Sequence, residues 1–143
     1  MDIFAVVRVR GRRKRSAEIQ ETLKRLNLHR SNHCVLVKPT PSVLGMLKKV
    51  EAFITYGPVD DATLKLLLQK RAERGKEKAV IEDLDSAVAK MKEDPKSATK
   101  ELNISPVFRL RPPRKGWKGI KRHYPMGALG KRPEMNSLLR RMI

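Results

Sequence analysis

The first 56 residues alternate between short apolar runs and stretches of helical spacing, and this alternation limits the fold more than any other feature. Three runs are rich in β-branched and apolar residues and predict strands: residues 3–10, 34–37 and 52–56. The stretch after the second run begins with Thr40 and Pro41, a capping hydroxyl followed by a proline, which is typical of a helix start. The order β-α-β-α-β predicts neighbouring strands with both helices on one face of the sheet.

The first strand indicates how the two faces of that sheet differ. Val7 and Val9 alternate with Arg8 and Arg10, so one face is apolar and the other is basic. We expect the basic face to stay open for a ligand or for another part of the chain. These patterns together predict an α+β fold arranged as a two-layer sandwich.

Local signals also predict where the helices begin and end. Asn27 suits the left-handed residue that closes the first helix, and Asp60 or Asp61 suits the cap of a third helix. Gly45 lies inside the second helix, where glycine costs about 1 kcal/mol relative to alanine. A close approach by another backbone would offset that cost, so we expect such a contact.

The chain divides by composition into three predicted segments. Residues 1–75 hold the βαβαβ core with the third helix, residues 76–106 a helical and nearly neutral insertion, and residues 107–143 a basic extended arm with a short C-terminal helix. In the insertion, the positions with helical spacing are Val80, Leu84, Val88 and Met91. In the C-terminal helix, Leu138, Leu139 and Met142 are expected to dock on the body.

Residues 107–132 carry the strongest functional signal. Their sequence, VFRLRPPRKGWKGIKRHYPMGALGKR, contains nine Lys or Arg, no Asp or Glu, and seven Pro or Gly. Proline and glycine disfavour helices and central strands, so most of this stretch is predicted to be extended loop. Unpaired charges are costly to bury, so the arm needs a polyanionic partner and is expected to become ordered on it.

The net charge of +18 is concentrated at the two ends of the chain. Residues 1–38 carry +7, residues 39–106 carry +1 and residues 107–143 carry +10. Such segregation is typical of a nucleic-acid footprint. A membrane-surface role would require a basic amphipathic helix, and the basic ends are loop-like instead.

The predicted RNA-binding positions are basic residues of these two ends, because Arg and Lys contact phosphates, together with one aromatic residue. They are Arg8, Arg10, Arg12, Arg13, Lys14, Arg15, Arg30, Arg109, Arg111, Arg114, Lys115, Trp117, Lys118, Lys121, Arg122, Lys131 and Arg132. The indole of Trp117 suits stacking on an unpaired base, as do the rings of His123 and Tyr124. Anchoring of the arm on its own core is an equally open role for each ring.

Candidate catalytic and metal motifs are weak. GALGK at residues 127–131 lacks the spacing of a phosphate-binding P-loop, and the two GxxG tetrapeptides lie among prolines rather than between helices. His29, His33 and Cys34 are close in sequence but lack an evident fourth ligand. The acidic residues Glu82, Asp83 and Asp85 suit a helix N-terminus. We therefore predict a binding protein with no catalytic, metal or cofactor site.

Cysteine use and hydropathy bear on the compartment. Cys34 is the only cysteine, so an intrachain disulfide cannot form, and a reducing interior is expected. No apolar run approaches the ~18 residues of a membrane span. We expect a soluble intracellular protein.

Motifs along nearly the whole chain resemble one known family. In order they are VVRVRG at 6–11, TLKRLNLHRSNHCVLVK at 22–38, GML at 45–47, ITYGPVD at 54–60, LLLQKR at 66–71, FRLRPPRKG at 108–116 and SLLRRM at 137–142. This series is similar to the large-subunit ribosomal protein family numbered thirty in the bacterial scheme, in its longer archaeal form, whose eukaryotic relative is numbered seven.

The resemblance implies a fold and a function. The fold is a three-stranded antiparallel sheet backed by helices, similar to the ferredoxin-like fold. The function is that of a structural component of the large ribosomal subunit, in the cytoplasm, bound to ribosomal RNA and to neighbouring ribosomal proteins. It implies no catalytic residues, and its RNA contacts fall on the basic positions of VRVRG, LHRSN and FRLRPPRKG. The alternative is a non-ribosomal structural protein that binds RNA or DNA.

Overall fold

The computed structural model describes residues 3–10, 17–74, 77–117, 119, 122–124, 126–133 and 135–143. Within these residues, helices and strands are mixed along the chain around one five-stranded sheet. The α+β class is therefore confirmed. No helix of the described ranges combines the length and the apolar character needed to span a bilayer.

The centre of the sheet is built by the N-terminal part of the chain. Its elements are β1 (Phe4–Arg8), α1 (Ala17–Arg25), β2 (His33–Val37), α2 (Pro41–Lys49) and β3 (Ile54–Pro58). β1 lies in the middle and pairs antiparallel with β2 on one side and β3 on the other. In this register Val6 lies opposite Val35 and Tyr56, so side chains of like character share each face.

The central part of the chain is mainly helical. It contains α3 (Asp61–Arg71), the two-stranded hairpin β4 (Glu73–Arg74) and β5 (Glu77–Lys78), α4 (Leu84–Glu93) and α5 (Pro95–Glu101). Val88 and Met91 of α4 are buried, as their spacing predicts. Val80 precedes α4 and is 79% exposed, so its predicted place on the buried helical face is wrong.

The C-terminal part of the chain completes the sheet. It contains β6 (Val107–Arg109), β7 (Gly130–Lys131) and α6 (Met135–Met142). β6 pairs antiparallel with β2, and β7 pairs parallel with β3, which gives the strand order β6-β2-β1-β3-β7. The sheet thus has five strands rather than the three expected.

The basic C-terminal segment is not a free arm, because both ends of residues 107–132 are fixed to the sheet by β6 and β7. Phe108 is fully buried, and Leu110 is buried next to it. The helix α6 docks on the body through Leu138, Leu139 and Met142, as predicted. Burial of each large apolar side chain stabilises the fold by about 1.5–3 kcal/mol, so this segment is part of the core.

Helices cover both faces of the sheet, so the two-layer prediction is wrong. On one face, Val6 and Val35 pack with Leu23 of α1 and Leu47 of α2. The opposite face is covered by α3, α4 and α6, whose apolar residues form one cluster with side chains of β1 and β2. The two helices of the βαβαβ region do share one face, but the other face is not left open.

The covering cluster also joins the three predicted segments. Val7 belongs to the first segment, Met91 to the second and Leu138 to the third, and all three are members of the same buried cluster. The boundaries at residues 75 and 106 stay predictions, since the core itself does not divide there.

Two helix caps follow the sequence signals. The Oγ1 of Thr40 accepts a hydrogen bond from the backbone N–H of Val43 at 3.3 Å, and Pro41 occupies the first turn of α2. The Oδ1 of Asp60 accepts from the backbone N–H of Thr63 at 2.8 Å, so Asp60 is the cap of α3. Asn27 has φ of 62°, the left-handed conformation expected after α1.

Glycine is required at Gly57 but not at Gly45. A Cβ on Gly45 would meet no heavy atom within 4 Å, so the expected close approach to α2 is wrong. A Cβ on Gly57 in β3 would overlap the carbonyl oxygen of Arg132, just after β7. The absence of a side chain at Gly57 therefore allows β7 to lie against β3.

Candidate nucleic-acid interface

The predicted RNA-binding residues differ in burial. Arg12, Arg13, Lys14, Arg15, Lys118 and Lys121 lie outside the described residues. The exposed ones are Arg30, Arg109, Arg111, Arg114, Lys115, Arg122 and Lys131. Arg10 and Trp117 are half-buried, and Arg8 and Arg132 are buried, with 6% and 7% of their surface exposed.

Arg8 does not lie on an open basic face. Its Nη1 donates to the carbonyl oxygen of Leu28 at 2.8 Å, and its Nε donates to that of Arg10 at 2.9 Å. It alternates with Val7 as predicted, but its face of the sheet also carries Val6 and is covered by α1 and α2. The Arg8 guanidinium therefore stabilises the connection between α1 and β2 from inside.

Three basic residues surround His33 at one end of β2. We call Arg8, Arg30, His33 and Arg109 the His33 corner. His33 lies opposite Arg109 in the β2–β6 register, and the carbonyl of Arg30 accepts from the His33 N–H at 3.4 Å. The corner thus brings together residues of the N-terminal and C-terminal basic ends.

The electrostatics of the His33 corner favour a neutral imidazole. Burial lowers the pKa of His33 from its ordinary value of 6.5, and the positive charges of Arg109, His29, Arg30 and Arg8 lower it further. The Nδ1 of His33 is buried without a hydrogen-bond partner among the described residues. The exposed Arg30 and Arg109 side chains are suited to phosphate oxygens. The neutral ring is suited to a ribose hydroxyl or to an amine of a base.

Within the part of the chain that the structure describes, three basic residues lie over aromatic rings. The guanidinium carbon of Arg10 is 5.4 Å from the centre of the Phe53 ring, and that of Arg132 is 5.3 Å from the centre of the Tyr124 ring. The Nζ of Lys131 is 5.9 Å from the centre of the Phe4 ring. A ring face holds a cation without neutralising its charge, so Arg10 and Lys131 keep a positive surface.

Two aromatic residues of the basic segment, Trp117 and His123, lie near other side chains of the protein. Trp117 is half-buried and packs against the cluster of Val9, Ala128 and Leu129. His123 is exposed, and its Nε2 lies 3.8 Å from the Oε1 of Glu51. The geometry of Trp117 favours anchoring of the segment on the core, one of the two roles left open by the sequence.

A cleft with a volume of about 670 Å³ lies between α6 and the turn that follows Leu110. We call it the α6 cleft; it is lined by Asp60, Arg114, Lys115, Asn136, Ser137, Arg140 and Arg141. The predicted positions Arg114 and Lys115 thus meet Arg140 and Arg141, which the sequence reasoning missed. The signal was present, because residues 136, 137, 140 and 141 follow the i, i+4 spacing of a polar helix face.

Lys65 of α3 and Lys92 of α4 are each paired with an acidic side chain. Lys65 lies 3.3 Å from Asp85 and Lys92 lies 2.9 Å from Asp61, across the contact of α3 with α4. Each exposed pair adds little stability, but it cancels local charge. The α3–α4 surface is therefore a poor candidate for contact with phosphates.

The chain is similar to known proteins along almost its whole length. Residues 4–54 match a family model described as ribosomal protein L30p/L7e. The large ribosomal subunit protein uL30 of Methanoculleus marisnigri is 45% identical over 98% of this chain and 99% of its own length. The chain belongs to the uL30 family. The uL30 proteins of Archaeoglobus fulgidus and Nanoarchaeum equitans are 44% and 41% identical, over 98% and 100% of this chain.

Membership of the uL30 family confirms the resemblance found in the sequence motifs. The family model covers β1, α1, β2 and α2, whereas the archaeal relatives align over almost the whole chain. The His33 corner and the α6 cleft therefore both lie within the part of the chain that aligns with uL30 proteins. Among the residues that the structure describes, no group of His, Cys, Asp and Glu side chains is arranged to hold a metal ion.

Proposed function

We propose that this uL30-family protein is a structural component of the large ribosomal subunit that binds and stabilises ribosomal RNA. The observation that carries the proposal is the alignment of nearly the full chain with proteins named as large-subunit components. Its place would be the ribosome, in the cytoplasm, with ribosomal RNA and neighbouring ribosomal proteins as partners. The function requires no catalytic step.

The proposed RNA contacts are the basic side chains that remain accessible in the fold. They are Arg10, Arg30, Arg109, Arg111, Arg114, Lys115, Arg122 and Lys131. The sequence-based candidates Arg12, Arg13, Lys14, Arg15, Lys118 and Lys121 are retained on their charge alone. Arg8 and Arg132 are assigned to internal support, since both are buried, and Trp117 to anchoring. RNA recognition by these groups rests on phosphate neutralisation and on shape.

The antiparallel β2-β1-β3 unit with α1 and α2 on one face supports a ferredoxin-like assignment for residues 4–58. We propose this assignment for that unit alone. The remaining strands and helices would then be additions that present the basic C-terminal segment.

Fractionation of a cell lysate on a sucrose gradient tests the proposed function. At moderate salt the protein should migrate with the large ribosomal subunit and remain there after a salt wash, in about one copy for each subunit. A protein that stays at the top of the gradient would contradict the proposal. The reading as a non-ribosomal nucleic-acid-binding protein would then lead, and its preference for duplex DNA or structured RNA would be measured.

A further inference from the structure

The α6 cleft has more positive charge than its own carboxylate can neutralise. Among the described residues, seven line the cleft; four of these are Arg or Lys, and Asp60 is the one acid. Among the described residues, none of these four basic side chains forms an ion pair, unlike Lys65 of α3 and Lys92 of α4. The described residues of the cleft lining therefore carry a net charge of +3.

The turn that bears two of these cations is fixed to α6. The N–H of Arg114 donates to the carbonyl of Arg141 at 3.1 Å, and the Nη1 of Arg141 donates back to the carbonyl of Arg114 at 3.4 Å. Lys115 and Gly116 have φ of 68° and 72°, and the N–H of Gly116 donates to the carbonyl of Pro113 at 3.0 Å. The backbone positions of the cations are thus set before a ligand arrives, which lowers the entropy cost of binding.

The polar groups of the cleft are mostly donors. The Oδ1 of Asn136 already accepts from the N–H of Asp60 at 2.9 Å, which leaves its amide hydrogens as donors. Hydrogen bonding from Thr63 and the nearby charge of Arg140 lower the pKa of Asp60, so its carboxylate is ionised and serves the cap of α3. A ligand that satisfies this cleft must bring several negatively charged acceptors.

We propose that the α6 cleft binds consecutive phosphate groups of a strand of large-subunit ribosomal RNA, with Lys115, Arg140 and Arg114 as the principal contacts. The proposal rests on the proposed function and names the partner at this site. Arg offers a planar fork of donors for phosphate oxygens, and Lys supplies a mobile point charge. Phosphates spaced along a ribose chain match cations distributed over a cleft better than one isolated anion does.

The test compares two double variants that lose the same charge. Lys115→Asn and Arg140→Gln together empty the cleft of two exposed cations; asparagine tolerates the left-handed backbone at 115, and glutamine suits a helix at 140. The control is Lys96→Gln with Lys100→Gln, two exposed positions of α5 remote from the cleft lining. Urea unfolding midpoints are recorded for both, so that a folding defect is recognised.

The measured quantity is the affinity of the full-length protein for large-subunit ribosomal RNA of its source organism as a function of KCl concentration. For the cleft variant, the slope of log affinity against log salt should fall in magnitude by about 1.4–1.8, from two lost phosphate contacts. The control should keep the wild-type slope. Equal slopes for the two variants, with wild-type binding intact, would overturn the cleft assignment and leave the proposed function standing.

Three further outcomes are decisive. If the wild-type protein does not bind the RNA, both the cleft assignment and the proposed function fail. Polyglutamate and mixed nucleotides are compared as competitors at the same total charge. If only polyglutamate displaces the RNA, and only from the wild-type protein and not from the cleft variant, the cleft recognises acidic peptide instead. Protection of Lys115 from acylation by the RNA, absent in the Arg140→Gln single variant, would support the assignment.

Discussion

At the scale of single residues, the partners of a charged group decide its role. The Arg8 guanidinium donates to the carbonyls of Leu28 and Arg10, so Arg8→Met would leave buried acceptors without these donors. We expect the free energy of unfolding to fall by about 1–3 kcal/mol. Urea denaturation measures it, and Arg30→Met, at an exposed site, should stay within about 0.5 kcal/mol of wild type. If the Arg8→Met protein were as stable as wild type but had lost its affinity for RNA, Arg8 would be an RNA contact rather than an internal support.

Gly45 gives an opposite prediction for stability. Its Cβ position is open and α2 continues through it, so Gly45→Ala should raise the free energy of unfolding by about 0.5–1 kcal/mol. The matched control is Gly57→Ala, whose added methyl overlaps the Arg132 carbonyl and should destabilise the protein by about 1–3 kcal/mol. Both are read from urea midpoints. A destabilised Gly45→Ala variant would mean that a contact at this position has been overlooked.

His33 links stability to pH. Its pKa in the folded protein lies below the ordinary 6.5 because of burial and the charges of Arg109, His29, Arg30 and Arg8, so the unfolded chain takes up the proton first. Stability should therefore decline as the pH falls below about 6.5, and the decline should end below the folded pKa. Denaturant midpoints between about pH 7.5 and 5 avoid most titration of Asp60 and Asp94, whose ordinary value is 3.8. His33→Asn should flatten this part of the curve, and an unchanged slope would contradict the assignment.

At the scale of elements, helices were predictable where their signals are local. Thr40 with Pro41, Asp60 and Asn27 act within one turn of the helix they start or end. The sequence therefore identifies Thr40 and Asn27 and limits the cap of α3 to Asp60 or Asp61. The spacing of Leu138, Leu139 and Met142 likewise predicted the buried face of α6. These interactions depend little on the rest of the fold.

The short edge strands were not predictable in the same way. β7 has two residues, and its pairing with β3 depends on the missing side chain of Gly57, far away in sequence. The alternation around Phe108 predicted an extended segment, but nothing local says that it pairs with β2. Burial of Arg8 and Arg132 cannot be predicted locally either, since arginine side chains are usually exposed. Arg140 and Arg141 were missed because they join the site only through the packing of α6 beside the turn at residue 114.

Integration of the C-terminal segment into the sheet changes what a truncation would measure. Removal of residues 107–143 deletes β6, β7 and α6 together with buried Phe108 and Leu138, not a detachable arm. We expect the truncated chain to lose cooperative urea unfolding, monitored by circular dichroism, because several large apolar side chains leave the core. A truncated protein with a sharp transition near the wild-type midpoint would show that residues 1–106 fold alone.

At the scale of the whole molecule, the exposed cations that the structure describes divide into those with an acidic partner and those without one. The basic ends of the sequence meet at the His33 corner, where Arg30 and Arg109 flank His33 and the Nε of Arg109 lies 3.8 Å from the Oε2 of Glu73. The α3–α4 surface pairs Lys65 and Lys92 with acids. Only part of the 33 Lys and Arg side chains is therefore available to RNA. Binding strength should depend on which cations are neutralised by the protein itself, and not on net charge alone.

This distribution predicts the salt dependence of RNA binding. If the seven exposed candidates Arg30, Arg109, Arg111, Arg114, Lys115, Arg122 and Lys131 each neutralise one phosphate, they contribute about −5 to −6 to the slope of log affinity against log salt. Fluorescence anisotropy with large-subunit RNA between about 50 and 200 mM KCl measures it. Lys65→Gln with Lys92→Gln removes two charges from the paired surface and should leave the slope unchanged, although it lowers the net charge as much as any double variant of the interface. A slope near zero would refute phosphate neutralisation as the source of affinity. If Lys65→Gln with Lys92→Gln lowered the slope as much as a double variant of the interface, net charge would control binding rather than the arrangement of exposed cations.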